Sequence, residues 1–169
     1  MKIVSTYHLN EGQITQVMAL WNAEYPEVIS YNNIDSFRRY LYNLEDTVHR
    51  LIVSDNGEIK GWYVDFLRNG ERWFVLVISK DCQGKGFGRK LMQMAQEEKE
   101  ELNGWVVPSS TYKKLDGSVY MSPLPFYTRL GVRVYSDITF EDKGIRTIKV
   151  QLQRKPPSAT PNMMPAWSC

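Results

Sequence analysis

Residues 72–91 read RWFVLVISKDCQGKGFGRKL, a strongly apolar run that leads directly into three closely spaced glycines. The first eight of these residues are apolar on both faces of a strand, which predicts a central strand covered on each side. From Gly86 to Leu102 apolar side chains recur with helical spacing, which predicts an amphipathic helix. The pair Asn103-Gly104 is expected to end that helix. The middle of the chain is therefore predicted to be a buried strand, a glycine-rich loop and a helix.

Two Asn-Gly pairs, at 56–57 and 69–70, precede this stretch and separate runs rich in β-branched and aromatic residues. Asn-Gly supplies the positive φ angles of tight hairpin turns. We therefore expect a three-stranded antiparallel meander before the glycines. Its predicted strands are residues 48–54, 59–67 and 72–79.

Further elements flank the meander on both sides. A strand is predicted at 2–9, followed by a helix with a capping box of Asn10 and Gln13 that ends at Pro26, and by a second helix from Ile34 with Asn33 or Asp35 as its cap. After the glycine-rich helix we expect a strand at 105–107, a loop at 108–122, a short helix at 123–130, and strands at 132–135 and 145–152. This order predicts an α/β (α+β) fold with a mixed, mostly antiparallel central sheet and helices on both faces. We expect one domain over residues 1–154 and a proline-rich C-terminal tail over 155–169.

Composition restricts the classes of function. The 169 residues are 43% apolar and 24% charged, which fits one soluble domain with a sizeable core. The 21 basic and 19 acidic side chains are spread along the chain, so no nucleic-acid surface is predicted. No apolar run approaches the roughly 20 residues of a membrane span, and the N-terminus lacks a signal pattern, so a cytoplasmic protein is expected. Cys82 and Cys169 make no metal or redox spacing, and no metal site is predicted.

The glycine-rich loop can be compared with three known types of phosphate-binding loop. A loop of the NTPase type needs Lys and then Ser or Thr after its last glycine, but Gly88 is followed by Arg89 and Lys90. A dinucleotide fingerprint needs G-x-G-x-x-G in a parallel βαβ unit, which a meander does not provide. The remaining pattern, Q-x-x-G-x-G, lets several backbone amides approach one ligand.

Charges along the predicted helix also indicate an anion. Cations normally avoid the N-terminus of a helix, and carboxylates avoid its C-terminus. Here Lys85, Arg89 and Lys90 surround the N-terminus, and a diphosphate between them and the helix would explain this placement. The opposite end is acidic. The carboxylates there are Glu97, Glu98, Glu100 and Glu101.

The segment Gln83-Gly84-Lys85-Gly86-Phe87-Gly88 resembles the acetyl-CoA signature of the GNAT family of N-acetyltransferases. A second segment, Phe126-Tyr127-Thr128-Arg129-Leu130-Gly131-Val132, is similar to the late F-Y-x-x-x-G-F segment of that family. The two segments occur in the order found in the family, and the resemblance covers about residues 2 to 153. The chain differs from the family pattern at Tyr120, where an Asn often opens the late helix, and at Pro123 and Pro125.

The resemblance implies acetyl-CoA as co-substrate and the GNAT acyl-CoA N-acyltransferase fold. It implies that the amides from Gly84 to Arg89 hold the pyrophosphate, that the strand before the loop pairs with the pantetheine arm, and that Tyr127 is the general acid. The implied cofactor-binding residues are Leu76, Val77, Ile78, Gln83, Gly84, Lys85, Gly86, Phe87, Gly88 and Arg89.

The general base and the acceptor stay open at the level of sequence. Glu71, Asp65, Glu24 or a water molecule are candidates for the base, whereas His8 and His49 are expected to be structural. The acceptor is expected to be an amine of a small molecule or a peptide, contacted by segments 24–33 and 108–122. The alternatives are a non-catalytic acyl-CoA-binding sensor and a structural partner protein.

A homodimer is also expected from the sequence. The half-apolar last strand leaves a sheet edge, and edges and apolar tails are commonly covered by a partner. The apolar residues of the tail are Met163, Met164 and Trp167.

Overall fold

A computed structural model describes residues 1–154, and within them the chain forms seven strands and four α-helices. The strands are β1 (Lys2–Thr6), β2 (Glu45–Val53), β3 (Ile59–Arg68), β4 (Glu71–Ile78), β5 (Glu101–Val106), β6 (Arg133–Asp142) and β7 (Ile145–Gln153). The helices are α1 (Glu11–Glu24), α2 (Ile34–Tyr42), α3 (Phe87–Glu98) and α4 (Leu124–Arg129), with short 3₁₀ turns at Glu27–Ile29 and Lys80–Cys82. The predicted tail, 155–169, lies outside the described residues.

All seven strands belong to one sheet in the order β1-β2-β3-β4-β5-β7-β6. Every neighbouring pair is antiparallel except β4 and β5, which run parallel. The predicted mixed, mostly antiparallel sheet is therefore confirmed. β4 and β5 pair only at Trp73 and Asn103, so the two strands separate toward their carboxyl ends.

The sheet carries an apolar core on each face. One core packs Phe37 of α2 and residues of α1 against Trp62 of β3. The other packs Leu91 of α3 and Tyr127 of α4 against Phe74 of β4. Successive β4 side chains alternate between the two cores, as expected for a strand covered on each side.

Tight turns join several strands. Asn69 and Gly70 have φ angles of 52° and 76°, which confirms the predicted two-residue hairpin between β3 and β4. In the turn between β2 and β3 only Gly57 has a positive φ, and Ser54 and Glu58 close a wider loop there. A second turn with two successive positive φ angles, at Lys143 and Gly144 between β6 and β7, lacks the Asn-Gly signal that would predict it.

Capping at the helix N-termini agrees with the sequence prediction. Asn10 and Gln13 form a reciprocal capping box on α1. On α2 the cap is Asn33, whose side chain accepts a hydrogen bond from the amide of Ser36, and not Asp35.

The predicted end of α3 is wrong. The helix ends at Glu98, and Leu102, Asn103 and Gly104 lie in β5. Leu102 is buried in the core on the α3 side, and a Cβ at Gly104 would lie 2.7 Å from a ring carbon of Phe74. The glycine therefore makes room for an aromatic ring on the neighbouring strand and does not stop a helix.

The predicted bounds of four strands also need correction. β2 begins at Glu45, and β5 extends from Glu101 to Val106. β1 ends at Thr6, and β6 runs from Arg133 to Asp142, far beyond residue 135. β6 is an edge strand that is exposed on both faces over most of its length, so it lacks the apolar alternation that identifies strands. A register shift between Tyr135 and Thr139 further interrupts its pattern.

Candidate active site

A cleft of about 960 Å³ opens where β4 and β5 separate. β4 and the glycine-rich loop line one part of it, and β5, the loop 108–122 and α4 line another. The connection between α1 and α2 and the hairpin of β6 and β7 complete its walls. The fold thus brings the two predicted sequence motifs into one cavity.

The open edge of β4 faces this cleft. The Leu76 carbonyl accepts a hydrogen bond from the Tyr25 hydroxyl at 3.4 Å, and the Ile78 carbonyl accepts one from the Gln83 side chain at 2.9 Å. Backbone groups of alternate residues in an antiparallel strand point to the same side. Leu76 and Ile78 therefore point to the open edge, whereas Val77 points to β3, where it pairs with Trp62.

The glycines of the loop have two distinct structural roles. Gly84 and Gly86 have φ angles of 73° and 87°, a conformation that favours glycine, and a Cβ at either position would meet no protein atom within 4 Å. Gly88 is helical, and its Cβ would lie 3.1 Å from the ring of Phe126. The first two glycines turn the chain at the cleft, and the third lets α3 approach α4 closely.

Backbone donors are available at the start of α3. Gly86 is the N-cap and provides no side-chain hydrogen bond to the helix. The first amides of a helix have no acceptor within the helix, so those from Phe87 to Arg89 are free to bind an anion. Gln83 bonds back to Ile78 and so fixes the loop against the end of β4.

Of the three predicted cations at this helix start, Arg89 lines the cleft, whereas Lys85 and Lys90 do not. Lys80 and Arg129, which were not predicted, also line the cleft. At the C-terminus of α3 the prediction of four carboxylates is wrong in part. Glu100 and Glu101 lie beyond the last residue of the helix. Glu98 forms an ion pair with the buried Arg50, which gives this carboxylate a structural partner.

Tyr127 lies on α4 with only 5% of its surface exposed and lines the cleft. Its ring contacts those of Phe126 and Phe74, with centroids at 5.0 and 5.7 Å. Burial, and then the neighbouring Tyr120, raises the pKa of Tyr127 above its ordinary value. The phenol therefore keeps its proton throughout the neutral range.

Two further tyrosines, Tyr25 and Tyr120, line the same part of the cleft, and the sequence predicted their segments as acceptor contacts without singling out either residue. Tyr25 bonds to the Leu76 carbonyl, and its ring lies 6.4 Å from that of Tyr120. Burial, and then Tyr120 and Tyr127, raises the pKa of Tyr25. Tyr120 occupies the position where the family often has Asn, and this departure was the available signal.

Of the three carboxylates considered as a base, the cleft is lined by Glu24 alone. Its two carboxylate oxygens accept hydrogen bonds from the Lys80 amide at 3.1 Å and the Lys114 ammonium at 3.2 Å. Asp65 is fully buried on the α3 side of the sheet, where it accepts hydrogen bonds from Arg72 and Tyr63. Glu71 lies exposed at the beginning of β4, so the structure does not bring it or Asp65 into the cleft.

Both segments expected to contact the acceptor contribute to the walls. Segment 24–33 supplies Tyr25 and Tyr31, and segment 108–122 supplies Lys114 and Tyr120. The hairpin of β6 and β7 also lines the cleft, a contribution that the sequence did not predict. Its lining residues are Phe140, Asp142, Lys143, Ile145 and Thr147.

Within residues 1–154, no helix combines the length and apolar character needed to cross a bilayer. The same part of the chain contains no group of three side chains placed to hold a metal ion.

Solved structures with this fold include several acetyltransferases. Smu.2055 from Streptococcus mutans UA159 has a TM-score of 0.67 and 18% identity, with 92% of this chain and 100% of the other covered. An aminoglycoside 6'-N-acetyltransferase complexed with coenzyme A has a TM-score of 0.67 and 13% identity, with coverage of 92% and 98%. Spermidine/spermine N-acetyltransferase from Vibrio cholerae has a TM-score of 0.60 and 14% identity, with coverage of 90% and 95%. At these identities the likeness concerns the fold.

No curated protein matches the chain significantly by sequence. The family model described as "Acetyltransferase (GNAT) domain" matches residues 11–154, which include the separated strands, the glycine-rich loop and Tyr127. Together with the fold, this match shows that the chain belongs to the GNAT family and is an acyl-CoA-dependent acetyltransferase.

Proposed function

We propose that this enzyme transfers the acetyl group of acetyl-CoA to an amine of a small molecule or a peptide by direct attack. The observation that carries the proposal is the continuous path along the open edge of β4. This path leads from Leu76 and Ile78 to the uncapped start of α3, with Tyr127 in the same cleft.

The glycine-rich loop is the proposed pyrophosphate site. The amides from Gly84 to Arg89 would donate hydrogen bonds to the phosphate oxygens, and the N-terminus of α3 adds its dipole. Lys85 and Arg89 are exposed beside the loop and provide the opposite charge. Gln83 supports this site indirectly, through its hydrogen bond to the Ile78 carbonyl.

The open edge of β4 is the proposed site of the pantetheine arm. Leu76 and Ile78 direct their backbone groups to this edge, and an extended arm with amide groups can pair with them as an added strand would. The side chain of Val77 packs into the core on the α1 side, so the contribution of Val77 would be to hold the strand in place. Backbone amides along this edge can also stabilise the oxyanion that develops on the acetyl carbonyl.

Bound acetyl-CoA would supply a thioester whose carbonyl carbon is attacked by the neutral amine. Tyr127 would then donate a hydrogen bond, and finally a proton, to the departing sulfur. Burial raises the pKa of this phenol above that of the thiol product, whose reference value is about 8.5. Proton transfer from Tyr127 to the thiolate is therefore energetically unfavourable by itself and has to be coupled to departure of the product. We therefore expect the contribution of Tyr127 to lie at the low end of the roughly 10²–10⁴-fold range of general-acid catalysis.

The attacking nitrogen must also lose a proton. Glu24 is the one predicted carboxylate in the cleft, and it is held by Lys114 and the Lys80 amide. Both carboxylate oxygens are already engaged by these donors, so we propose that water accepts the proton, with Glu24 ordering the polar wall of the cleft.

Two experiments test the function. Acetyl-CoA or CoA should raise the melting temperature, and thiol release should be detectable in a screen over amines, amino acids and antibiotics. No thermal shift at millimolar CoA would contradict the cofactor site. A shift without turnover of any amine would instead support the acyl-CoA-binding sensor.

Tyr127→Phe tests the proton donor, because Phe keeps the ring and removes only the hydroxyl. Turnover with a saturating acceptor should fall while the affinity for acetyl-CoA stays nearly unchanged. Tyr135→Phe is the matched control, since Tyr135 bonds to Gln151 on β7 and does not line the cleft. Equal turnover of the two variants, with chemistry rate-limiting, would make Tyr127 a packing residue.

A further inference from the structure

One wall of the cleft beyond the open edge of β4 is a stack of three aromatic rings. Trp73 and Trp105 stack with centroids 4.9 Å apart, and Trp105 and Phe140 stack at 5.6 Å. The three side chains come from β4, β5 and β6 and face the same cavity. Phe140 ends the stack and is 50% exposed, so part of its ring remains accessible to a ligand.

A second group of aromatic rings lines the cleft from the helical side. Trp21 lies 5.7 Å from Tyr31 and 5.5 Å from Tyr40, and Tyr31 and Tyr40 are 5.9 Å apart. At the rim, the Lys143 ammonium lies 5.8 Å from the ring of Tyr31 and so joins the hairpin tip to the connection between α1 and α2. The cavity therefore has aromatic surfaces on two sides.

Aromatic walls of this kind favour a flat ligand. Concave sites lined by aromatic side chains bind flat apolar groups, because stacking and burial both stabilise them. Phe140 continues the aromatic surface formed by Trp73 and Trp105, and contiguous apolar surface of this kind commonly marks a ligand-binding groove.

Few carboxylates are available in the cleft to hold a polycation. Among residues 1–154, the carboxylates that line it are Glu24 and Asp142. Glu24 is neutralised by Lys114, and Asp142 has Lys143 beside it and shares the cavity with the Arg68 guanidinium. Each ammonium taken from water needs a compensating partner, and this cleft offers at most one.

We infer that the acceptor is a monoamine on a single flat aromatic body, with the ring between the two aromatic walls and the amine directed to the open edge of β4. The inference rests on the proposed function and restricts the chemical class of its acceptor. The expected acceptor differs from the polyamines named for two proteins of the same fold, the aminoglycoside and the spermidine/spermine acetyltransferases.

The test compares 2-phenylethylamine and tryptamine with spermidine and kanamycin. Thiol release gives kcat/KM for each, and a calorimetric titration, with CoA and without it, gives binding in the absence of turnover. We expect the aromatic monoamines to have kcat/KM values at least tenfold above those of the polyamines. A polyamine with the higher value would overturn the inference.

Phe140→Ala provides a second test, with Ile138→Ala as its matched control. Ile138 lies on the same edge strand, is 40% exposed and does not line the cleft. Loss of one stacking face should raise the KM and the Kd for an aromatic monoamine about tenfold, and the control should leave both unchanged. Equal values for the two variants would overturn the inference.

These outcomes separate the inference from the proposed function. If CoA produces no thermal shift and no amine is turned over, the proposed function fails, and the binding titration still decides whether the cleft binds a flat aromatic amine. Binding of 2-phenylethylamine that Phe140→Ala weakens and Ile138→Ala does not would support the aromatic site. Absence of such binding would overturn it.

Discussion

Gly86→Val tests the pyrophosphate loop against a control with nearly the same backbone strain. Gly86 has a φ of +87° and Gly57 a φ of +86°, and a Cβ at either position would meet no protein atom within 4 Å. Gly86 lines the cleft, whereas Gly57 lies in the turn between β2 and β3, away from it. The two substitutions therefore share the cost of the left-handed conformation and differ in the space that the new side chain fills.

The strain and the ligand effect can both be estimated. A non-glycine residue in the left-handed region costs about 1–2 kcal/mol, which lowers the melting temperature of a chain of this size by about 2–8 °C. CoA at 100 times its dissociation constant adds about 2.7 kcal/mol, which raises it by about 5–11 °C. We expect the backbone strain to lower the melting temperature of both variants. Only Gly86→Val should also lose the rise in melting temperature that CoA produces.

The assay is a thermal melt with and without CoA, supported by titration of the affinity. A folded Gly86→Val variant that keeps the full CoA shift would refute the loop assignment, because the loop would then be only a turn. Loss of the shift in Gly57→Val as well would show that strain, and not occupied space, removes binding.

Three further predictions concern stability and assembly. Burial, and then His8, lowers the pKa of His49 from 6.5 to about 4. As the pH falls, His49 is therefore protonated in the unfolded chain before it is protonated in the folded protein. The free energy of unfolding, measured by urea titration, should drop by roughly 3 kcal/mol between about pH 6.5 and 4. The variant His49→Gln should show a weaker dependence on pH. Gly104→Ala should cost about 1–3 kcal/mol in the same assay, because its Cβ would displace the Phe74 ring, whereas Gly12→Ala, with one contact at 3.5 Å, should be neutral or stabilising. The last strand, β7, is not a sheet edge as expected, because β5 and β6 flank it and β6 forms the edge. The homodimer itself stays a prediction, and a monomeric mass at high micromolar concentration would contradict it.

The parts of the fold that sequence predicts well depend on local signals. Asn69-Gly70 fixes a two-residue hairpin through its own backbone preferences, and Asn10 and Gln13 form a capping box within four residues. The boundary between α3 and β5 depends instead on a distant contact. From sequence alone, Gly104 is predicted to end a helix. Only the Phe74 ring on the neighbouring strand explains why a glycine is required at this position.

The site divides in the same way. The glycine-rich loop and Tyr127 belong to short motifs, so both could be named from the sequence. The aromatic walls could not, because Tyr31, Trp73 and Phe140 come from three separate elements and share no spacing. Phe140 was hardest to foresee, since it lies on an exposed edge strand without apolar alternation.

The separation of β4 and β5 is built into the chain itself. Asn103 is completely buried, and its side chain donates to the Arg72 carbonyl at 3.0 Å and accepts from Gln151 at 3.1 Å. The first bond joins β5 to β4 at the level of Trp73, where the backbones still pair, and the second joins β5 to β7. Beyond that level no backbone pairing holds them together, and the Leu76 carbonyl accepts from Tyr25 instead. The open edge of β4 is therefore already present in the folded chain, beside the buried polar contacts of Asn103. A ligand that pairs with this edge need not separate β4 from β5 first.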